Sequence, residues 1–174
     1  FEIKAIVSRS GHNAAATAKQ FNVPITSTRY RDILSNPEID AIIITTRHDL
    51  HKNMALEGLK AGKHVLLEKP LCINQKELNE IKEYFHSHES TPLLLTGFNR
   101  RFSPSIQKIK KHLKGPMIIN YRMNAGFIPK EHWIHQEDGG GRNIGEACHI
   151  YDLFTYLTNS KVNKISAHSI SPST

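Results

Sequence analysis

Short apolar runs alternate with amphipathic stretches over the first hundred residues. Residues 2–7 form an apolar run of strand character. Residues 11–21 follow, with Ala14, Ala15, Ala18 and Phe21 disposed to share one helix face. Residues 40–46 (Asp40-Ala41-Ile42-Ile43-Ile44-Thr45-Thr46) are almost wholly β-branched beyond Ala41, which reads as a parallel strand covered on both faces. A helix is expected over about 50–61, stopped by Gly62. Lys63-His64-Val65-Leu66-Leu67-Glu68 reads as the next strand. Asn74, with Glu77 three residues on, opens a helix carrying Leu78, Ile81 and Phe85, in the manner of a capping box. Pro92 to Gly97 is a further strand. This rhythm predicts βαβ units and a parallel, doubly wound α/β sheet over residues 1–98.

After Gly97 the rhythm changes. Ser103-Pro104 is a cap followed by proline at the first turn, and the helix it opens ends at Gly115-Pro116. From Met117 to Asn124, Ile119, Tyr121 and Met123 alternate with polar neighbours, which predicts a longer strand. A loop carries Trp133 and the triple glycine 139–141, a helix is expected from about 144 to 158, and Val162 to Ile170 reads as a last strand. Residues 99–174 are thus expected to begin an α+β domain with an open sheet.

Composition narrows the field. No apolar run approaches the roughly 20 residues of a membrane-spanning helix. The 174 residues hold 23 Lys and Arg against 16 Asp and Glu, a formal charge of +7. The densest basic stretch, Lys108 to Lys114, sets lysines opposite Ile106, Ile109 and Leu113 and reads as a solvated helix face. No interleaving of aromatic and basic residues points to nucleic acid. Cys72 and Cys148 lack CxxC spacing and suggest reduced thiols in a cytoplasmic protein, with a single disulfide left open. The start at Phe1, with neither Met nor a basic leader, reads as the middle of a longer protein.

In open parallel sheets ligands bind at the carboxyl ends of strands. Polar and ionisable residues follow each expected strand: Ser8-Arg9-Ser10, then Thr45-Thr46-Arg47-His48 with His51 a turn later, then Glu68-Lys69-Pro70, then Gly97-Phe98-Asn99-Arg100-Arg101. Pro70 biases Lys69 away from helix and holds it at the strand end. A lysine there can exchange a proton with a substrate hydroxyl, although the tripeptide alone also fits a surface ion pair before a turn. In the segment 145–152, Glu146, His149 and Asp152 fall at i, i+3 and i+6 if helical, roughly one stripe. The glycines before it allow close approach of backbone to a ligand. Spacing alone fits equally a histidine in a helical salt bridge on a solvated face.

These residues carry a resemblance. His51-(x)3-Ala55-(x)5-Ala61-Gly62-Lys63-His64-Val65-(x)2-Glu68-Lys69-Pro70 resembles the signature of the Gfo/Idh/MocA oxidoreductases, the glucose–fructose oxidoreductase and inositol dehydrogenase family. Gly97 to Pro104 resembles that family's next motif, and the glycine-rich segment with His149 and Asp152 its third. The stretch 139–153 is similar to members fused behind a zinc-type alcohol dehydrogenase-like domain. The resemblance implies an N-terminal Rossmann domain binding NAD or NADP. It also implies a C-terminal α/β domain that supplies the substrate pocket and a homo-oligomer interface. The reaction it implies is hydride exchange with a hydroxyl or keto carbon of a sugar, cyclitol or nucleotide-sugar. Lys69 and His149 become the proton-handling pair, with Glu68 beside the lysine. Thr45, Thr46, His48 and His51 become the nicotinamide-side loop, and Asn99, Arg100 and Asp152 substrate-side residues. Ser8 and Arg9 stand where a Ser-Arg pair accepts the NADP 2′-phosphate.

Three departures bear on this. Gly145 stands where many family members have an aspartate four residues before the histidine, so either Glu146 replaces it or the acid is absent. Helix faces differ by about 100° per residue, which separates the two possibilities. Arg47-His48 replaces the usual Pro-Asn, and the glycine-rich pyrophosphate turn is missing, as though the chain began at the second Rossmann strand. A fragment so built is expected to be inactive by itself. A binding or scaffolding protein on the same fold is the rival reading, favoured by Gly145. Metal binding is not expected, because the 11 histidines are scattered with no accompanying cysteine or carboxylate pattern.

Overall fold

Local sequence chemistry sets the ends of the helices. The computed structural model describes residues 1–169. The Ser10 hydroxyl accepts from the Asn13 amide and starts α1 (Gly11–Phe21), which ends on Asn22 in the left-handed region. Helix α2 (Tyr30–Leu34) is a single short turn, and α3 (His51–Lys60) follows a 3-10 turn at His48–Leu50. Gly62, at φ +76°, closes α3, with the Lys63 amide donating to the Gly58 carbonyl and the Gly62 amide to the Leu59 carbonyl. That is the reciprocal pair of a Schellman stop, and it confirms the terminator read from the sequence. Asn74 accepts from the Glu77 amide at 2.9 Å and caps α4 (Gln75–His86) as expected, while the Glu77 carboxylate reaches one residue past the cap and accepts from the Ile73 amide at 3.0 Å, a variant of the capping box. Ser103 caps α5 (Pro104–His112), and α6 (Cys148–Thr158) completes the set.

The strands pair in parallel. β1 (Ala5–Val7) and β2 (Ile25–Ser27) make one small sheet. β3 (Ala41–Ile44), β4 (His64–Leu67) and β5 (Leu94–Thr96) make a second, in that order. Its rows are Ile42–Val65–Leu94, Ile43–Leu66–Leu95 and Ile44–Leu67–Thr96. Helices α3 and α4 supply Ala55, Leu59 and Tyr84 to a core with Ile44, Val65 and Leu67. Each large side chain sealed there contributes about 1.5–3 kcal/mol. The result is a Rossmann-like α/β fold with parallel sheets.

Three expectations are corrected. The run 40–46 does not have both faces covered: both helices pack on one side, and on the other Ile43, Leu66 and Leu95 are 69%, 39% and 56% exposed. Residues 117–124 and 162–169 carry no strand; extended segments become strands only with a ladder partner, and none faces them among the described residues. Residue 170, the expected end of the last strand, lies outside the described residues. The helix expected at 144–158 begins earlier and is interrupted by a π-turn over Asn143–Ala147 before α6. β2 and α2, at three and five residues, are too short for any periodicity to reveal.

The second half is fastened by α5 and α6. The Lys110 ammonium donates to the Tyr156 and Leu157 carbonyls at 2.6 and 2.9 Å, and Gln107 donates to the Tyr156 hydroxyl at 2.8 Å. A cation there meets the orphan carbonyls and the negative end of the α6 dipole. Among the described residues no helix is long and apolar enough to cross a membrane.

Candidate active site

The ladder of the second sheet continues past β4 and delivers the lysine. The Glu68 amide donates to the Ile44 carbonyl at 2.9 Å, and the Gly97 amide to the Leu67 carbonyl at 2.7 Å. The Lys69–Pro70 peptide bond is cis. Half-buried Lys69 points its ammonium at the helix entering α6, donating to the Gly145 carbonyl at 2.7 Å and to Glu146 Oε1 at 3.3 Å. Gly145 offers the lysine its backbone carbonyl, and Glu146, one residue on, reaches it with a carboxylate. Both residues lie in the π-turn Asn143–Ala147 that leads into α6.

His149 sits one turn beyond, 6% exposed, with a buried Nδ1 that has no hydrogen-bond partner among the described residues. Burial above all, then the Arg100 and Lys69 cations, push its pKa below the ordinary histidine value against the pull of Glu146 and Glu68. The Phe98 ring stands edge-on to it at 6.2 Å. Lysine, glutamate and histidine thus share one locality at the carboxyl ends of β4 and β5.

The nicotinamide-side expectations fare unevenly. Thr45 and Thr46 are exposed just beyond β3. His51, expected on the cofactor side, is instead wholly buried: Nδ1 lies 2.7 Å from the Pro70 carbonyl and Nε2 3.0 Å from that of Thr46. Its ring ties the loop after β3 to the loop after β4 and has no free nitrogen. His48 is also buried, with Nδ1 2.7 Å from the Gly139 carbonyl and its ring edge-on to Trp133 at 4.9 Å. Burial lowers its pKa first, the Gly139 bond opposes, and His51 and Lys69 lower it further. Glu68 is exposed, and its carboxylate accepts from the Lys69 amide at 3.2 Å. Ser8 and exposed Arg9 follow β1 in the other sheet.

On the substrate side, Asn99 is exposed and Arg100 donates to the Tyr121 hydroxyl at 2.7 Å. The Asp152 carboxylate is taken by Arg101, whose guanidinium also lies over the Tyr156 ring, and the pair ties Arg101 to α6. The expected stripe therefore divides, with Glu146 on the lysine and Asp152 on Arg101. The triple glycine is also explained differently. A Cβ at Gly139 would stand 2.4 Å from the Ile134 Cα, and Gly140 and Gly141 hold φ of +71° and +84°. The close approach Gly139 permits is to the protein's own chain at 133–134, while the other two supply the left-handed backbone of the turn.

Sequence reasoning missed the Arg47–Asp138 ion pair and the Trp133 ring under Arg47, which join the β3 loop to the loop before the glycines. Arg101 was passed over although it lies within a quoted motif. Cys72 and Cys148 are both free, and burial raises both thiols.

Residues 1–96 match the model of an oxidoreductase family with an NAD-binding Rossmann fold, GFO_IDH_MocA. The chain is 29% identical over 161 residues to scyllo-inositol 2-dehydrogenase (NAD(+)) of Bacillus subtilis, covering 89% of this chain and 46% of that protein. It is 29% identical over 173 residues to trans-1,2-dihydrobenzene-1,2-diol dehydrogenase of Mus musculus, covering 95% and 51%. Among solved structures, myo-inositol 2-dehydrogenase from Lactobacillus plantarum superposes with a TM-score of 0.59 at 28% identity, over 63% of this chain and 32% of that one. The fold is also that of levoglucosan dehydrogenase in complex with NADH and levoglucosan, with a TM-score of 0.73 at 23% identity over 89% and 44%. The chain spans about half the length of the curated relatives it matches.

Proposed function

This chain belongs to the Gfo/Idh/MocA family of oxidoreductases, and from that premise we propose that its full-length protein is an NAD(P)-dependent dehydrogenase of a sugar, cyclitol or nucleotide-sugar. The observation that carries the reading is the Lys69 ammonium held by the Gly145 carbonyl and Glu146, with buried His149 a turn away. Relatives named as dehydrogenases of inositols support the substrate class.

The donor set at the strand ends fits a nicotinamide cofactor. Exposed Thr45, Thr46 and Glu68 would border it, and the unpartnered His149 nitrogen marks a buried polar spot beside them. When bound, the nicotinamide supplies the acceptor or donor of hydride. The protein's own residues manage the proton. His149, kept neutral at pH 7 by its lowered pKa, accepts the hydroxyl proton as the carbinol carbon is oxidised. The Lys69 ammonium donates to the same oxygen and stabilises its developing charge. Glu146 and the Gly145 carbonyl fix the lysine's position. Asn99 and Arg100 orient the remaining hydroxyls.

Finer elements belong to the same proposal. Ser8 and Arg9 favour NADP over NAD. The full-length protein contributes a first strand and glycine-rich turn that pair between β1 and β3; the two separate parallel sheets support this. It is a cytoplasmic homo-oligomer through its C-terminal sheet and resembles the members fused to a zinc-type alcohol dehydrogenase-like domain. The rival reading, a binding protein without turnover, rested on Gly145, and the Glu146–Lys69 contact weighs against it.

Nicotinamide absorbance over a panel of sugars, cyclitols and nucleotide-sugars, with each cofactor, tests the proposal on the full-length protein. Lys69→Ala is expected to keep cofactor binding and lose about 10²–10⁴-fold in turnover. Unchanged turnover would reject the role of the lysine.

A further inference from the structure

Two departures from the family pattern, His48 and Gly145, lie far apart in sequence and touch in space. A Cβ built on Gly145 would stand 2.9 Å from His48 Cε1 and 2.9 Å from Ile134 Cδ1. The Ile134 methyl is the end of a flexible side chain. The His48 ring is not: Nδ1 is bonded to the Gly139 carbonyl at 2.7 Å, and the Trp133 ring stands against it. The imidazole therefore fills the volume that any side chain at 145 would enter, including the aspartate found there in many family members. The segment it grips, from Gly139 to Gly145, ends in the carbonyl that receives the Lys69 ammonium and leads directly to Glu146.

We propose that His48 is a positioning residue for Lys69: its ring, bonded to the Gly139 carbonyl and packed on Gly145, sets the turn whose Gly145 carbonyl and Glu146 carboxylate hold the lysine. This goes beyond the cofactor-side place the family motif implies for residue 48. Its functional weight rests on the proposed role of Lys69, while the geometry it concerns is independent of turnover. The bond to Gly139 needs a donor at the Nδ1 position. An asparagine amide overlays on that nitrogen, whereas glutamine overlays on the other one and alanine on neither.

The test is competitive acylation of lysines by acetic anhydride on the full-length protein, read by peptide mass spectrometry. Lys4, paired with Glu2 at 3.1 Å beside β1 in the other sheet, is the internal reference. His48→Ala is expected to raise Lys69 labelling relative to Lys4 by about fivefold, the effect of one lost hydrogen bond on its hold. His48→Asn is expected to stay within about twofold of wild type, because its amide restores the bond. Should His48→Ala fail to fold, His48→Gln carries the same expectation of loss. A Lys69 labelling ratio unchanged in the loss variant, or equal in His48→Asn and the loss variant, overturns the proposal. Because labelling needs no turnover, an active Lys69→Ala enzyme would remove the functional reading and leave this result standing.

Discussion

The β3–α3–β4 unit and the extended segment at 117–129 both carry runs of apolar residues, yet only one of them is folded into a ladder. In the first, Leu67 is wholly buried and lies in register between Ile44 and Thr96 under α3. In the second, Ile118 is 92% exposed and has no strand beside it among the described residues. A βαβ unit brings its own partner and its own cover, because the crossover helix packs on the strands it joins. An antiparallel-looking alternation carries no such guarantee. Its partners must come from elsewhere, so the same hydrophobic pattern yields a core in one place and an open surface in the other.

The contrast can be broken most forcefully at its buried pole. Leu67→Ala is expected to lower unfolding free energy by about 2–5 kcal/mol, while Ile118→Ala shifts it by less than about 0.5 kcal/mol. Urea denaturation of the two variants measures both, and equal losses would refute the distinction. A smaller effect belongs to the joint between the halves. Arg101→Ala leaves the Asp152 carboxylate, only 9% exposed, without its partner, and about 1–3 kcal/mol is expected to be lost. A thermal melt indistinguishable from wild type would mean that water replaces the arginine fully.

The smallest effect is a slope. His48 and His149 have folded pKa values below the ordinary 6.5, so the unfolded chain binds more protons than the folded one as pH falls through that value. Their contribution to stability is full above about pH 6.5 and is lost as pH falls toward the depressed folded values. Stability measured between pH 7 and 5 is expected to decline, and His149→Asn to flatten the decline. Identical slopes in the two proteins would show that other groups dominate.

What could be read from the chain follows the same division. The runs around β1, β3, β4 and β5, the Gly62 stop and the Asn74–Glu77 cap are all local, decided by residues a few positions apart. β2 and α2 escaped because they are shorter than the period that would identify them. Lys69, Glu146 and His149 were legible as candidates, but the contact of Glu146 with the lysine spans 77 residues and is made from a π-turn that no spacing rule contains. The partners of Asp152 and His51 were not legible: Arg101 lies 51 residues from Asp152, and a ring between two carbonyls looks in sequence like any other histidine at a strand end.

The widened turn at Asn143–Ala147 leaves this centre little slack to vary. Gly145 within it offers the ammonium a carbonyl alone, and a Cβ there would meet the imidazole at 48 and the Ile134 methyl at 2.9 Å. Moving the acid back to position 145 is therefore a two-site change in this chain, because a smaller residue at 48 must make the room first.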